Sequence, residues 1–143
     1  MTIYIDTNVI VSYINEKDPL HGDAAKLLHT LRNRHKLVAS QIVLVELYSV
    51  YSRTMNLSDI ELEALVEYSF RKPGIELRNV DCGELVNKAA SRANSLRLRS
   101  LDLLHVISAY LLNSIGIATF DKDILSKKDI IEETLGLKVY PGH

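Results

Sequence analysis

The chain has no tryptophan and only two phenylalanines beside its seven tyrosines. No dense aromatic platform for stacking bases is therefore written into it. Its single cysteine, Cys82, excludes an intrachain disulfide and a thiolate zinc cage. One cysteine also fits a reducing compartment, and the expected location is cytoplasmic. The three prolines, Pro19, Pro73 and Pro141, lie far apart. No Pro/Gly-rich linker, repeat or low-complexity tract divides the sequence, so residues 1–143 read as one domain. Excess charge of either sign is missing as well: 17 Lys+Arg stand against 18 Asp+Glu, a net of −1. Binding nucleic acid through bulk positive charge is thereby excluded, which leaves a local patch or a metal ion as the route to phosphate. No GxxxxGK[ST] or GxGxxG run occurs, which removes a nucleotide-cradling loop. The most apolar stretch, residues 101–120, contains Asp102, His105, Asn113 and Gly116; it reads as a buried helix and strand, and no membrane association is expected. No basic segment precedes Asp6, so no secretory signal is expected.

What the sequence does contain is material for a core, 47% hydrophobic residues with 24% charged, arranged as short β-prone runs separated by longer helical patterns. Strands are expected at 3–5, 37–39, 75–80 and 117–120, with a fifth at 138–140. Helical segments are expected at 9–15, after an Asp18-Pro19 start, after Ser40, after Ser58, at 84–96 and at 101–113. Ser58-Asp59-Ile60-Glu61 has the form of a capping box, and Pro73-Gly74 ends that helix. Leu44, Leu47, Tyr48 and Tyr51 form a stripe suited either to the core or to a dimer interface. Strands separated by helical pairs need long crossovers and so pair in parallel. The expectation is an α/β fold, a central parallel sheet of four to five short strands with helices on both faces. In such sheets ligands sit beyond the carboxyl ends of the strands.

Acids stand at those ends. Asp6 follows the first strand and Asp121 the fourth, while Glu46 and Asp102 interrupt strongly apolar helices. Each has an ordinary explanation on its own. Asp6, Asp121 and Asp123 could form turns, Asp102 gains from a helix dipole in a first turn, and Glu46 could face solvent. Together, four carboxylates in one crevice would repel one another and raise each other's pKa. A divalent cation removes that conflict, and oxygen ligands favour Mg²⁺ or Mn²⁺.

Asp6-Thr7-Asn8 after an N-terminal strand, Glu46 in the third helical segment, Ser100-Leu101-Asp102 opening a later helix and Thr119-Phe120-Asp121 after the next strand resemble PIN-domain ribonucleases over nearly the whole chain. In size the chain is most similar to the VapC toxins of VapBC toxin–antitoxin systems. The resemblance implies a PIN-like three-layer α/β/α sandwich and an endoribonuclease using Mg²⁺ or Mn²⁺. Asp6, Glu46, Asp102 and Asp121 would be its catalytic and metal-binding acids, and Asp123 a further metal ligand. Thr7, Asn8 and Thr119 would orient carboxylates or a metal-bound water. It also implies an RNA substrate, a homodimer and a VapB-like antitoxin whose tail blocks the acidic site; the alternatives are a PIN nuclease of RNA processing or decay without an antitoxin, or a catalytically inactive PIN scaffold that binds RNA or protein. Where the family often places an aromatic after the last acids, this chain has Ile124.

Three further residues bear on the reading. His105 lies three residues after Asp102, on nearly the same helical face, and reads as a hydrogen-bonded core or rim histidine before a catalytic one. Arg97 and Arg99 precede Asp102 in an acid-free basic stretch and are candidates for holding RNA phosphates, with an ordinary solvated face as the alternative. A phosphoacceptor domain is the rival from another class. It would use Asp81 after the third strand, but it needs an acidic pair at the first, and Asp6 has no acidic neighbour.

Overall fold

A pair of helices separates every strand from the next, and this spacing decides the topology. The computed structural model describes residues 1–142. In chain order they form β1 (Thr2–Ile5), α1 (Thr7–Ile14), α2 (His21–Arg32), β2 (Lys36–Ala39), α3 (Gln41–Thr54), α4 (Asp59–Arg71), β3 (Ile75–Leu77), α5 (Cys82–Leu96), α6 (Ser100–Leu111), β4 (Gly116–Ala118), α7 (Lys122–Ser126), α8 (Lys128–Leu135) and β5 (Lys138–Tyr140). The five strands make one sheet in the order β3-β2-β1-β4-β5, and every pairing is parallel. Ile3, Tyr4 and Ile5 are all fully buried, which a strand achieves only when both faces of its sheet are covered. The result is an α/β/α sandwich with β1 at its centre.

From β1 the chain builds outward through β2 to β3, then returns to the other side of β1 for β4 and β5. The order therefore reverses between β1 and β4, which opens a crevice at their carboxyl ends. The register places Ile5 opposite Ala118, and the Asp6 N–H donates to the Ala118 carbonyl at 2.9 Å. The acid that follows β1 is thus clamped beside the loop that follows β4.

Local sequence accounts for most helix starts. Ser40 caps α3 by accepting from the Ile42 N–H at 3.2 Å, and Ser58 and Glu61 close a full capping box on α4. Asp81 caps α5 through the Glu84 N–H at 2.9 Å; with β3 at the sheet edge, it is a helix cap remote from β1. The Asp18-Pro19 start lies earlier than the helix it was expected to open. Asp18 accepts from the Leu20 N–H at 2.8 Å and makes a turn, and α2 begins at His21. Between the fourth and fifth strands, where no helix was expected, the chain forms α7 and α8. In the α3 stripe Leu47 and Tyr51 are buried and Leu44 and Tyr48 pack against the core, so the stripe serves the chain's own interior. Among the described residues, no helix is long and apolar enough to cross a membrane.

Candidate active site

Asp6 is the anchor of the crevice. It leaves a central strand directly into α1, where its Oδ1 accepts from the Thr7 N–H at 2.7 Å. Its Oδ2 accepts from the Thr119 hydroxyl at 2.7 Å and from the Asn8 amide at 3.3 Å. With both oxygens engaged, a carboxylate that is only 4% exposed is held in one orientation. Asn8 spans the gap to β4, since its Oδ1 accepts from the Phe120 N–H at 3.0 Å. Thr119 in turn accepts from the Asp121 N–H at 2.9 Å. Thr7, Asn8 and Thr119 thus tie the two strand ends together around Asp6.

Two groups of ligand-capable side chains face one another across this frame. The first is Asp6, Glu46 and His105, and the second is Asp102, Asp121 and Asp123; within each, one oxygen or nitrogen per residue lies within 4.8 Å of the others. Glu46 projects from the middle of α3, and its Oε1 accepts from the Thr7 hydroxyl at 2.8 Å and from His105 Nε2. Asp102 sits in the first turn of α6. Asp121 caps α7, its Oδ1 accepting from the Asp123 N–H at 2.8 Å. A crevice of about 320 Å³ is lined by Asp6, Asp18, Glu46, Asp102, Asp121 and His105, among others.

The structure therefore brings Asp6, Glu46, Asp102 and Asp121 to one place. Asp123 is exposed and joins them through Asp102 and Asp121. Thr7 and Asn8 line the crevice, whereas Thr119 is buried behind it. Arg97 and Arg99 are exposed on the connection from α5 to α6 and do not line the crevice. Sequence reasoning underrated His105, which is a core histidine, as expected, but one hydrogen-bonded to Glu46 and 3.5 Å from Asp6. It passed over Tyr4, whose flanking isoleucines mark it only as a buried strand residue.

The electrostatics are those of crowded acids. Burial, then the neighbouring Asp121 and Asp6 carboxylates, push Asp102 up to about 6. Burial also raises Asp6, more than His105 and Thr119 lower it. For Glu46 burial acts upward, but the hydrogen bond and charge of His105 outweigh it and its carboxyl lies below the usual range. His105 is held above its ordinary value because Asp6 and Glu46 overcome the penalty of burial. Among the described residues no lysine or arginine lies within 4.0 Å of these five acids, and His105 is the one basic group that reaches them. Five carboxyl groups facing one imidazole fit a divalent cation, and an oxygen-rich donor set fits a hard one.

The family model described as PIN domain matches residues 3–130. Among solved structures the chain is similar to that of VapBC2 from Rickettsia felis bound to a DNA fragment from their promoter. The TM-score there is 0.68 at 20% identity, covering 97% of this chain and 98% of that chain. It is also similar to FitAcB from Neisseria gonorrhoeae, with a TM-score of 0.60 at 16% identity over 96% of each chain. No curated protein matches at the sequence level. With the family's match running from β1 into α8, across all the acids of the crevice, the chain belongs to the PIN-domain family.

Proposed function

We propose that this protein is a Mg²⁺- or Mn²⁺-dependent endoribonuclease, the toxin of a toxin–antitoxin pair. The observation that carries the reading is the convergence of Asp6, Glu46, Asp102 and Asp121 on one crevice with, among the described residues, no lysine or arginine within 4.0 Å of them. Asp6, Asp102 and Asp121, with Glu46 and Asp123 beside them, would hold the cation. So held, it supplies a Lewis acid at the scissile phosphate. Asn8 and Thr119 keep the Asp6 carboxylate aimed into the crevice, and Thr7 does the same for Glu46. Hydrolysis by water breaks the P–O3′ bond and leaves 3′-hydroxyl and 5′-phosphate ends. No 2′-hydroxyl takes part, so preference for RNA must arise from fit outside the reacting atoms.

The test is cleavage of a structured RNA pool in Mn²⁺ or Mg²⁺ beside Asp102→Asn and a chelator control. Wild type alone should cut, and the loss expected in Asp102→Asn is at least about 100-fold, the scale of removing one transition-state contact. Cutting that persists in excess chelator would overturn the metal-dependent reading. A homodimer is proposed from the resemblance to VapC toxins, and similarity in fold to a chain of VapBC2 supports the further proposal of a small VapB-like antitoxin. Sedimentation of the purified chain tests the first. Co-purification of a small protein encoded beside it, with inhibition of cleavage, tests the second.

A further inference from the structure

Behind the carboxylates runs a buried polar chain that crosses three elements. The Ser40 hydroxyl, at the cap of α3, lies 2.8 Å from the Tyr4 hydroxyl on β1. The Tyr4 hydroxyl lies 2.8 Å from Nδ1 of His105 on α6. On the other side of the ring, Nε2 is hydrogen-bonded to Glu46 Oε1 and stands 3.5 Å from Asp6 Oδ1. Tyr4 and Ser40 are 0% exposed and His105 is 2% exposed. Polar groups buried this deeply are costly unless paired, and here the phenol, the serine hydroxyl and both ring nitrogens all have partners.

Donor and acceptor rules decide what the imidazole does. An ionised carboxylate can only accept, so Nε2 carries the hydrogen in its bond to Glu46. Nδ1 is satisfied by Tyr4 either way, accepting from the hydroxyl in the neutral ring or donating to it in the cation. In both states the Nε2 lone pair is taken up by its hydrogen. The opposite tautomer would aim that lone pair at two carboxylate oxygens, which is repulsive. The ring is therefore unavailable as a metal ligand, even though it lies within 4.8 Å of oxygens of Asp6 and Glu46.

We propose that His105, backed by Tyr4 and Ser40, is a positioning residue that holds Glu46 beside Asp6 by a donated hydrogen bond, so that a cation in this crevice is bound by oxygen alone. The inference rests on the metal-dependent reading above and adds to it a set of supporting residues and a coordination chemistry. It separates two replacements that a general loss of packing would not. In His105→Gln the side-chain amide nitrogen reaches the place of Nε2 and keeps a donor on Glu46. In His105→Asn the amide reaches only the place of Nδ1 and leaves Glu46 with the Thr7 hydroxyl as its remaining donor.

The experiment uses Mn²⁺ alone as probe, with affinity from calorimetry, ligand type from pulsed electron paramagnetic resonance and folding from thermal melts. Wild type should bind Mn²⁺ with no directly coupled histidine nitrogen. His105→Gln should stay within about threefold of wild-type affinity, and His105→Asn should weaken it about 10–100-fold, the range for lost outer-sphere partners. A nitrogen coupled directly to Mn²⁺ in wild type, the same loss in both variants, or wild-type affinity in both would overturn the inference while leaving the metal-dependent reading intact. The wild-type resonance measurement decides the ligand question even if a variant fails to fold. Wild type that binds no Mn²⁺ would overturn the metal-dependent reading, and this inference with it.

Discussion

Asp102 works against the stability of the protein that carries it. Its carboxyl is raised from 3.8 to about 6, first by burial and then by Asp121 and Asp6. A folded-state pKa above the unfolded one means the native state binds the proton more tightly. The stabilisation is complete below pH 3.8 and is lost as pH rises through about 6. Asp102→Asn cannot ionise, so metal-free variant and wild type should melt together in acid, with the variant the more stable above pH ~6. Saturating Mn²⁺ should reverse that order near neutrality, because the cation binds the native acids. Melting curves with and without Mn²⁺ across this range check both statements. The acids themselves were legible in the sequence because each one ends a strand or interrupts an apolar helix. The role of His105 was not, because its partner Tyr4 lies 101 positions away and nothing local announces the pairing.

At the level of elements, the helix caps and the narrowest sheet contact give the sharpest expectations. Ser58→Ala removes one capping interaction and should cost about 1 kcal/mol. Ser40→Ala removes a cap and also the hydroxyl partner of buried Tyr4, so its cost in urea denaturation should exceed that of Ser58→Ala. Gly116 lies opposite Lys138 in the β4–β5 pairing. A Cβ there would stand 2.6 Å from Tyr140 Cε2 and 2.7 Å from the Lys138 carbonyl oxygen. One of those atoms is backbone in a paired strand, so Gly116→Ala should destabilise by about 1–3 kcal/mol through overpacking. The five strands and the first six helices were readable because each has an apolar period, a cap or a breaker. Five-residue α7 is too short to show a period, and the cap that starts it, Asp121, already had a reading as a site acid. α8 buries only Ile131 and Leu135, a stripe easily lost among the lysines and acids around it. The turn at Asp18 shows a further limit, since a side chain that caps a helix and one that closes the preceding turn use the same hydrogen bond to a nearby N–H.

For the whole molecule, a net charge of −1 sets how it meets a polyanion. If Arg97 and Arg99 supply the phosphate contacts, two neutralised phosphates give a log–log salt slope of about −1.4 on single-stranded RNA. Double alanine replacement should flatten that slope toward zero, measured with the Asp102→Asn protein so that the RNA survives. An unchanged slope would place the phosphate contacts elsewhere. The global topology was legible because helical pairs between strands leave little but parallel pairing, whereas the strand order, and hence which two strand ends share the crevice, rests on contacts between distant parts of the chain. The bond between Thr119 and Asp6 joins residues 113 positions apart, and β1, made first, acquires its β4 neighbour late. At about 5–20 residues per second a ribosome needs roughly 6–23 s to cover that distance. For all of that time the growing polypeptide holds Asp6 without the partners that complete its crevice, so the acids can gather around a cation only once β4 and the residues after it have been translated.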